Sequence, residues 1–326
     1  MKIKMKSIIY LIVLFLFSYF FLSPASVFAL PKISKIKARK ETGINNVKKL
    51  LFKNPELAIK KLNVMVKKNP ENPKLYYYLG TSYGRLSKTD KAVQYYKKAI
   101  KLNPKYLNAY NNLGLTYNKI RNFKKAYKTF SKMVKLNPKN PVYYNNIGFI
   151  EEERNKNHKA IEFFNKAISL NPFYTMAYLN MGSIYRKLGE NRRAAKEYNK
   201  SGLTYFRVGN YLQAVNSFKL SIKLYRRYIY PYENIANSYV KLGNINKAVS
   251  YYTLSGNKYN SKQRYHNAVK EFNMALKYNS RYMPAIHGIM LSYQKLGNMQ
   301  MVSQYMQEEI KIGGVGAILG GGLSLP

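Results

Sequence analysis

Apolar and small residues return along this chain at a fixed interval. Four stretches open at Pro73, Leu107, Pro141 and Thr175, each 34 residues after the last. Their fourth position is Tyr76, Tyr110, Tyr144 and Tyr178. The seventh is Leu79, Leu113, Ile147 and Met181, and the eighth is Gly80, Gly114, Gly148 and Gly182. The twentieth is Ala92, Ala126, Ala160 and Ala194, and the twenty-fourth is Tyr96, Phe130, Phe164 and Tyr198. Positions 4, 7, 8 and 11 fall on one stripe of a first helix, and 20, 24 and 27 on one stripe of a second. Gly at 8 and Ala at 20 lack bulk, so the two backbones can approach closely, with the aromatics filling the space beside them. Pro104, Pro138 and Pro172 close three of the four units. Each pushes the residue before it out of the α region and stops the second helix. Such a hairpin is too thin to bury its own apolar face, so neighbours must stack.

The second half breaks this period in an ordered way. Tyr198, Gly202, Tyr205, Ala214 and Phe218 fit a unit opening at Ala195, only 20 residues after Thr175. The next opens at Ile229, a step of 34, with Tyr232, Ala236, Tyr239, Ala248 and Tyr252. A step of 20 to Val249 and one of 34 to Met283 follow, so the true unit is 54 residues. Lys187-Leu188-Gly189, Lys241-Leu242-Gly243 and Lys295-Leu296-Gly297 mark it. The spacing predicts that one helix serves twice, as the second helix of one hairpin and the first of the next. The stacking should then change direction after about Gly202.

These residues resemble the tetratricopeptide repeat (TPR), whose pattern is W-x2-L-G-x2-Y, then A-x3-F, then P. Tyr stands here for the first Trp. Glu151 departs from the pattern at position 11, and Ser201 at position 27. The resemblance implies an all-α, TPR-type α-solenoid, a right-handed superhelix of antiparallel helix pairs, with irregular three-helix units in the second half. The array is expected over residues 56–310. Ala58, Leu62, Met65 and Pro70 fit the end of an earlier unit, whose first helix, about Arg39 to Phe52, reads as a divergent cap, so that residues 30–55 hold a basic linker and this capping helix.

Both ends differ from the body. Lys2, Lys4 and Lys6 precede a 15-residue apolar run from Ile8 to Leu22. Val27 and Ala29 place small side chains at −3 and −1 of a cut after Ala29. Residues 1–29 therefore read as a signal peptide, and the chain as exported, periplasmic or otherwise in the cell envelope. An uncleaved anchor through residues 7–29 is the alternative, since counting on to Leu30 reaches the roughly 20 residues of a membrane span. The basic flank from Lys32 to Lys40 prefers the cytoplasm and cuts against easy export. Residues 311–326 punctuate Ile, Leu and Val with Gly and read as a flexible apolar tail.

Composition narrows the chemistry. The 326 residues contain no Cys, three His and one Asp (Asp90), which argues against thiolate metal sites, thiol catalysis and paired-carboxylate chemistry. Glu151, Glu152 and Glu153 are adjacent on a helix and point in different directions, so they cannot act as one acid/base pair. They read as a solvated helix end or as a contact for a basic partner. No G-x-x-x-x-G-K-[ST] loop and no nucleophile elbow occurs. No enzyme, cofactor or metal is expected. The net charge of +42 rests on 44 Lys and 12 Arg against 14 acids. With abundant Asn, Ile and Tyr this is what AT-rich codon drift produces; the functional reading is an anionic partner.

What remains is binding. In the repeat family the ligand groove is lined by first-helix positions 2, 5, 9, 12 and 13. That implies a lining rich in Asn and mixed in charge, with Tyr77, Arg85, Asn111, Asn145, Phe149 and Arg186 as contacts. No unit has Lys at 5 with Asn at 9, the pair that binds chaperone tails in the family. The expected function is a non-enzymatic scaffold holding a partner protein or extended peptide. The alternative is a charge-driven binder of an anionic envelope polymer or membrane surface, with no nucleic acid expected. The mature chain from native cells should begin at Leu30. Intact mass checks this, and a chain that retains residues 1–29 contradicts cleavage.

Overall fold

The computed structural model describes residues 43–313, and all regular structure among them is helical. The export signal, the start of the basic linker and the tail beyond Gly313 lie outside the described residues. The chain divides into two compact units, one ending at Pro70 and one beginning at Glu71. In the first, α1 (residues 43–53) and α2 (Pro55–Lys68) form a hairpin around Val47, Leu51, Ala58 and Leu62. Asn54 Oδ1 caps α2 by accepting from Leu57 N at 2.9 Å.

Among the described residues the second unit holds fourteen helices. Four regular hairpins come first: α3 (Pro73–Arg85) with α4 (Thr89–Leu102), and α5 (Leu107–Lys119) with α6 (Phe123–Leu136). Then come α7 (Pro141–Glu153) with α8 (Asn157–Leu170), and α9 (Thr175–Lys187) with α10 (Asn191–Arg207). Beyond them lie α11 (Tyr211–Leu224), α12 (Tyr230–Lys241), α13 (Ile245–Asn260), α14 (Tyr265–Tyr278), α15 (Met283–Lys295) and α16 (Met299–Gly313).

Local chemistry sets the boundaries. Asn103, Asn137 and Asn171, each followed by Pro, are extended (φ −138°, −148° and −145°) and end α4, α6 and α8. Pro73 and Pro141 sit at the starts of α3 and α7, where their missing N–H is no loss, and the Asn before each caps the helix. The turn inside each hairpin needs one residue in the left-handed region. Ser87, Arg121 and Asn155 hold it in the first three, and Gly189, Gly243 and Gly297 (φ +76°, +71° and +73°) hold it at the start of each long unit. This explains the recurrence of Lys-Leu-Gly, because Gly adopts that backbone without steric cost.

The packing between paired helices is a ring set against a missing side chain. A Cβ on Gly80 would lie 2.6 Å from the Tyr96 ring, and one on Gly114 2.6 Å from Phe130. Gly148 stands in the same relation to Phe164, and Gly182 more loosely to Tyr198. Tyr96, Phe130, Phe164 and Tyr198 are all buried. Ala92, Ala126, Ala160 and Ala194 lie buried one turn before them on the same helices.

The same contact proves the register shift. Gly202 of α10 faces Phe218 of α11, and Gly256 of α13 faces Phe272 of α14. So α10 offers Tyr198 to α9 and Gly202 to α11, and serves both roles predicted for it. At 17 and 16 residues, α10 and α13 outlast the 12 to 15 of the other helices in this unit, which gives room for both contacts. Phe272 is also met by Gly288 of α15, so its ring fills a notch on two helices. Helices two apart touch as α3 with α5 and α7 with α9, and then as α10 with α12 and α13 with α15. The first-helix role thus passes at α10 and α12 to helices that the regular period would make second, and returns at α13 and α15 to helices that it would make first.

One buried group fits this packing poorly. Glu271 of α14 is 2% exposed, and its Oε2 has no hydrogen-bond partner. Burial pushes its carboxyl up to about 7 and the Glu233 carboxylate adds to this, while the Ser255 hydroxyl and Lys270 oppose it. The native state therefore keeps this proton to higher pH than the unfolded chain does. Stability from it is complete below about pH 4.5 and drains away as pH rises toward about 7, by on the order of 2–3 kcal/mol. Glu271→Gln should be more stable than the parent at pH 8 by about that amount and nearly equal to it at pH 4.5. Denaturant unfolding at the two pH values checks this, and a parent–variant gap that ignores pH contradicts it.

Candidate functional site

The first helices of the regular hairpins, α3, α5, α7 and α9, share a face built from positions 2, 5, 9, 12 and 13 of each unit. Positions 2 and 9 are seven residues apart, so they fall on nearly the same line of the helix. Position 5 stands beside them.

Tyr77, Asn111 and Asn145 occupy position 5, and the structure gives all three the same employment. Each oxygen accepts from an Asn amide one residue further along in the next hairpin. Asn112 Nδ2 donates to Tyr77 Oη at 3.3 Å, Asn146 Nδ2 to Asn111 Oδ1 at 3.4 Å, and Asn180 Nδ2 to Asn145 Oδ1 at 3.0 Å. These bonds form a ladder across the hairpins. The ladder follows the register shift, since Asn234 Nδ2 of α12 donates to Asn199 Oδ1 of α10 at 3.3 Å. The sequence reading treated position 5 as free lining and overlooked position 6. The signal was present, because Asn112, Asn146 and Asn180 recur every 34 residues.

Tyr77 is half-buried between Tyr78, Tyr96 and Tyr106, with ring centroids 5.2 to 6.1 Å away. Burial raises its hydroxyl to about 12, with the neighbouring Tyr96 and Tyr78 adding. It is therefore a neutral hydroxyl at any physiological pH. Asn145 is buried, while Arg85 and Arg186 are exposed at the C-terminal ends of α3 and α9.

The acidic run is not a solvated helix end. Glu151 and Glu152 are buried. Glu151 Oε1 accepts from Arg154 Nη1 at 2.7 Å, and Glu152 pairs with Lys187 from the end of α9. The second pair spans two first helices and ties them at the same face as the Asn ladder. Its partner comes from the next hairpin, which is why the local sequence read as solvated.

Phe149, at position 9, is 37% exposed. Three further apolar side chains on the same face were missed. They are Leu115 (48% exposed, position 9), Val142 (37%, position 2) and Met176 (46%, position 2). With Phe149 they make an apolar line along α5, α7 and α9. Its flank is the polar ladder and its end is set with Lys119, Arg186 and Lys187. Among the described residues no group of His, Asp and Glu is placed to hold a metal, and no helix is long and apolar enough to cross a membrane.

A tetratricopeptide repeat model matches residues 73–106 and 107–140, and a second model of that repeat matches 141–174, 177–201 and 229–255. Among solved structures, MamA from Desulfovibrio magneticus RS-1 (41 to end) is 23% identical with a TM-score of 0.45, covering 49% of this chain and 92% of its own. A tetratricopeptide repeat protein from Parabacteroides merdae is 19% identical with a TM-score of 0.43, over 77% of this chain and 98% of its own. YrrB, described as a TPR protein with an unusual peptide-binding site, is 17% identical with a TM-score of 0.35, over 69% and 96%. No curated protein matches the chain. The stretches 73–174, 177–201 and 229–255 are tetratricopeptide repeats, and the described helices from Pro73 onward follow one another in the consecutive pairwise packing of a TPR α-solenoid.

Proposed function

We propose that this chain is a non-catalytic scaffold of the cell envelope that holds a partner protein on the first-helix face of α5, α7 and α9. The observation that carries the reading is the line Leu115, Val142, Phe149 and Met176, which leaves large apolar side chains in water on a face otherwise fixed by hydrogen bonds. Exposed apolar side chains gathered on one face in this way support an interaction surface. An extended peptide suits it. The ladder uses the oxygen of Asn111, and its Nδ2 gives one hydrogen to Asn112 Oδ1 at 3.5 Å, so its second amide hydrogen remains to meet a backbone carbonyl. Arg186 and Lys119 at the rim favour a partner with acidic residues beside its apolar anchors. The envelope setting rests on the amino-terminal export signature.

Repeats suit this work because the packing positions and the lining positions are different residues. The lining can be tuned without disturbing the stack. Affinity would come from a few anchors, with the ladder holding them in place.

Co-purification from native envelopes at low and high salt should return a stoichiometric protein that stays bound at high salt. The triple variant Leu115→Ser, Phe149→Ala, Met176→Ser should keep its helical fold, since exposed positions cost little stability. It should bind the recovered partner at least 30-fold more weakly, a loss of about 2 kcal/mol. A triple variant that binds as tightly as the parent contradicts this face as the site.

A further inference from the structure

The second helices carry a surface that the groove does not use. From Lys91 to Ile150 the chain has thirteen basic residues and not one acid. Their placement is not even. On α6 the exposed residues are Lys124, Lys125, Lys128, Lys132 and Lys135, and no exposed residue of that helix is anything but lysine. On α4 they are Asp90, Lys91, Gln94, Lys97, Lys98 and Lys101. The buried residues of α6, Ala126, Thr129, Phe130 and Met133, lie on the opposite stripe, so the lysines form one continuous line along the helix.

The lines also align between helices. Lys91, Lys125 and Lys159 stand 34 residues apart, as do Lys98, Lys132 and Lys166. Lys101 and Lys135 share a further register, and Lys105 and Lys139 another in the loops that follow. In a repeat stack, equal sequence register is equal position on successive hairpins. The face is therefore a lattice of cations crossing α4, α6 and α8.

Several of these cations are held in place. Lys91 lies over the Tyr83 ring at 5.4 Å, Lys125 over Tyr117 at 5.7 Å, and Lys98 over Tyr76 at 5.6 Å. The aliphatic stems lie along the aromatic surface while the ammonium groups reach water. No ion pair among the described residues uses a lysine of α4 or α6. The lattice ends at α8, where Glu162 joins its exposed face, and beyond it Arg193 pairs with Glu190 and Lys200 with Glu197.

We propose that the second-helix face of α4 and α6 is a binding site for a linear phosphate polymer, recognised by backbone charge alone and independent of the peptide groove. Rows of equivalent cations at repeated spacing match a chain of repeated anions. Binding then gains from release of the counterions that such a chain carries. A lipid bilayer is the poorer match. Surface helices that enter bilayers pair basic residues with exposed apolar ones, and neither α4 nor α6 exposes a large apolar side chain. Base reading is also disfavoured, because Tyr76, Tyr83 and Tyr117 lie beneath lysines, Tyr95 is already stacked on Tyr83 at 5.3 Å, and Tyr127 lies beneath Arg154.

The test uses the full chain and long-chain inorganic polyphosphate, with affinity measured at several salt concentrations. A face variant carries Lys98, Lys128, Lys132 and Lys135→Gln. A control carries Lys223, Lys241, Lys277 and Lys295→Gln and so loses the same charge elsewhere. Both sets are exposed, so both proteins should fold, as circular dichroism checks. The face variant should bind polyphosphate at least tenfold more weakly and lose about three from its log–log salt slope, while the control should change less than twofold. Equal losses in the two variants would show that net charge alone acts, and would overturn the site. Binding to phosphatidylglycerol vesicles without binding to polyphosphate, or a preference for single-stranded DNA over polyphosphate of equal charge, would overturn the ligand class. Partner binding at the first-helix groove should be unchanged in the face variant, which separates failure here from failure there.

Discussion

The structure depends on a ring lodged where a neighbour has no side chain. In hairpin after hairpin an aromatic side chain of the second helix occupies the space that a Cβ would take on the first. This contact sets how closely paired helices approach. It also turns the first helix so that positions 2 and 9 look outward, and the second so that its lysines do. Both surfaces of the repeat follow from one steric fit. Interiors packed at crystal density transmit such a constraint with little slack.

The fit also explains why the array can change register without losing cohesion. Tyr198 and Gly202 share α10, so that helix can be a ring-bearer toward α9 and a ring-receiver toward α11. α13 receives Phe272 at Gly256 in the same way, while its Tyr252 faces an α12 that carries Ala236 instead of glycine and donates its hydroxyl to Asn237 Oδ1 at 2.6 Å. Each step needs only the ring and the notch, not a fixed helix count between them. The Asn ladder obeys the same rule and moves from α7 and α9 to α10 and α12. The run of equivalent first-helix positions over the four regular hairpins therefore gives way to shorter runs beyond them.

The packing residues were legible from the sequence because sterics leaves them no choice. Gly114 and Phe130, or Gly202 and Phe218, are identities that only one environment demands, and the 54-residue unit could be read from them. The surface was less legible for two reasons. Its contacts join residues 35 apart on different hairpins, as Asn180 to Asn145 and Lys187 to Glu152, so no local pattern announces them. Glu151 and Glu152 looked solvated because adjacent charges on a helix usually are, yet partners on this helix and the next hairpin let them be buried. The apolar line at Leu115, Val142, Phe149 and Met176 was hidden by a different cause. A hydrophobe in a helix normally signals the core, and only the packed structure shows which ones the core leaves out.

The most direct measurement is a double-mutant cycle on Gly114 and Phe130, read by denaturant unfolding of the intact chain. Gly114→Ala should destabilise by about 1–3 kcal/mol, even though alanine is the better helix former by roughly 1 kcal/mol, because its Cβ meets the Phe130 ring. Phe130→Leu removes the ring and should also destabilise when made alone. Together the two should cost clearly less than their sum, with a coupling of 1 kcal/mol or more. Costs that simply add, or an alanine that stabilises at position 114, would show that the ring and the notch do not hold the helices together.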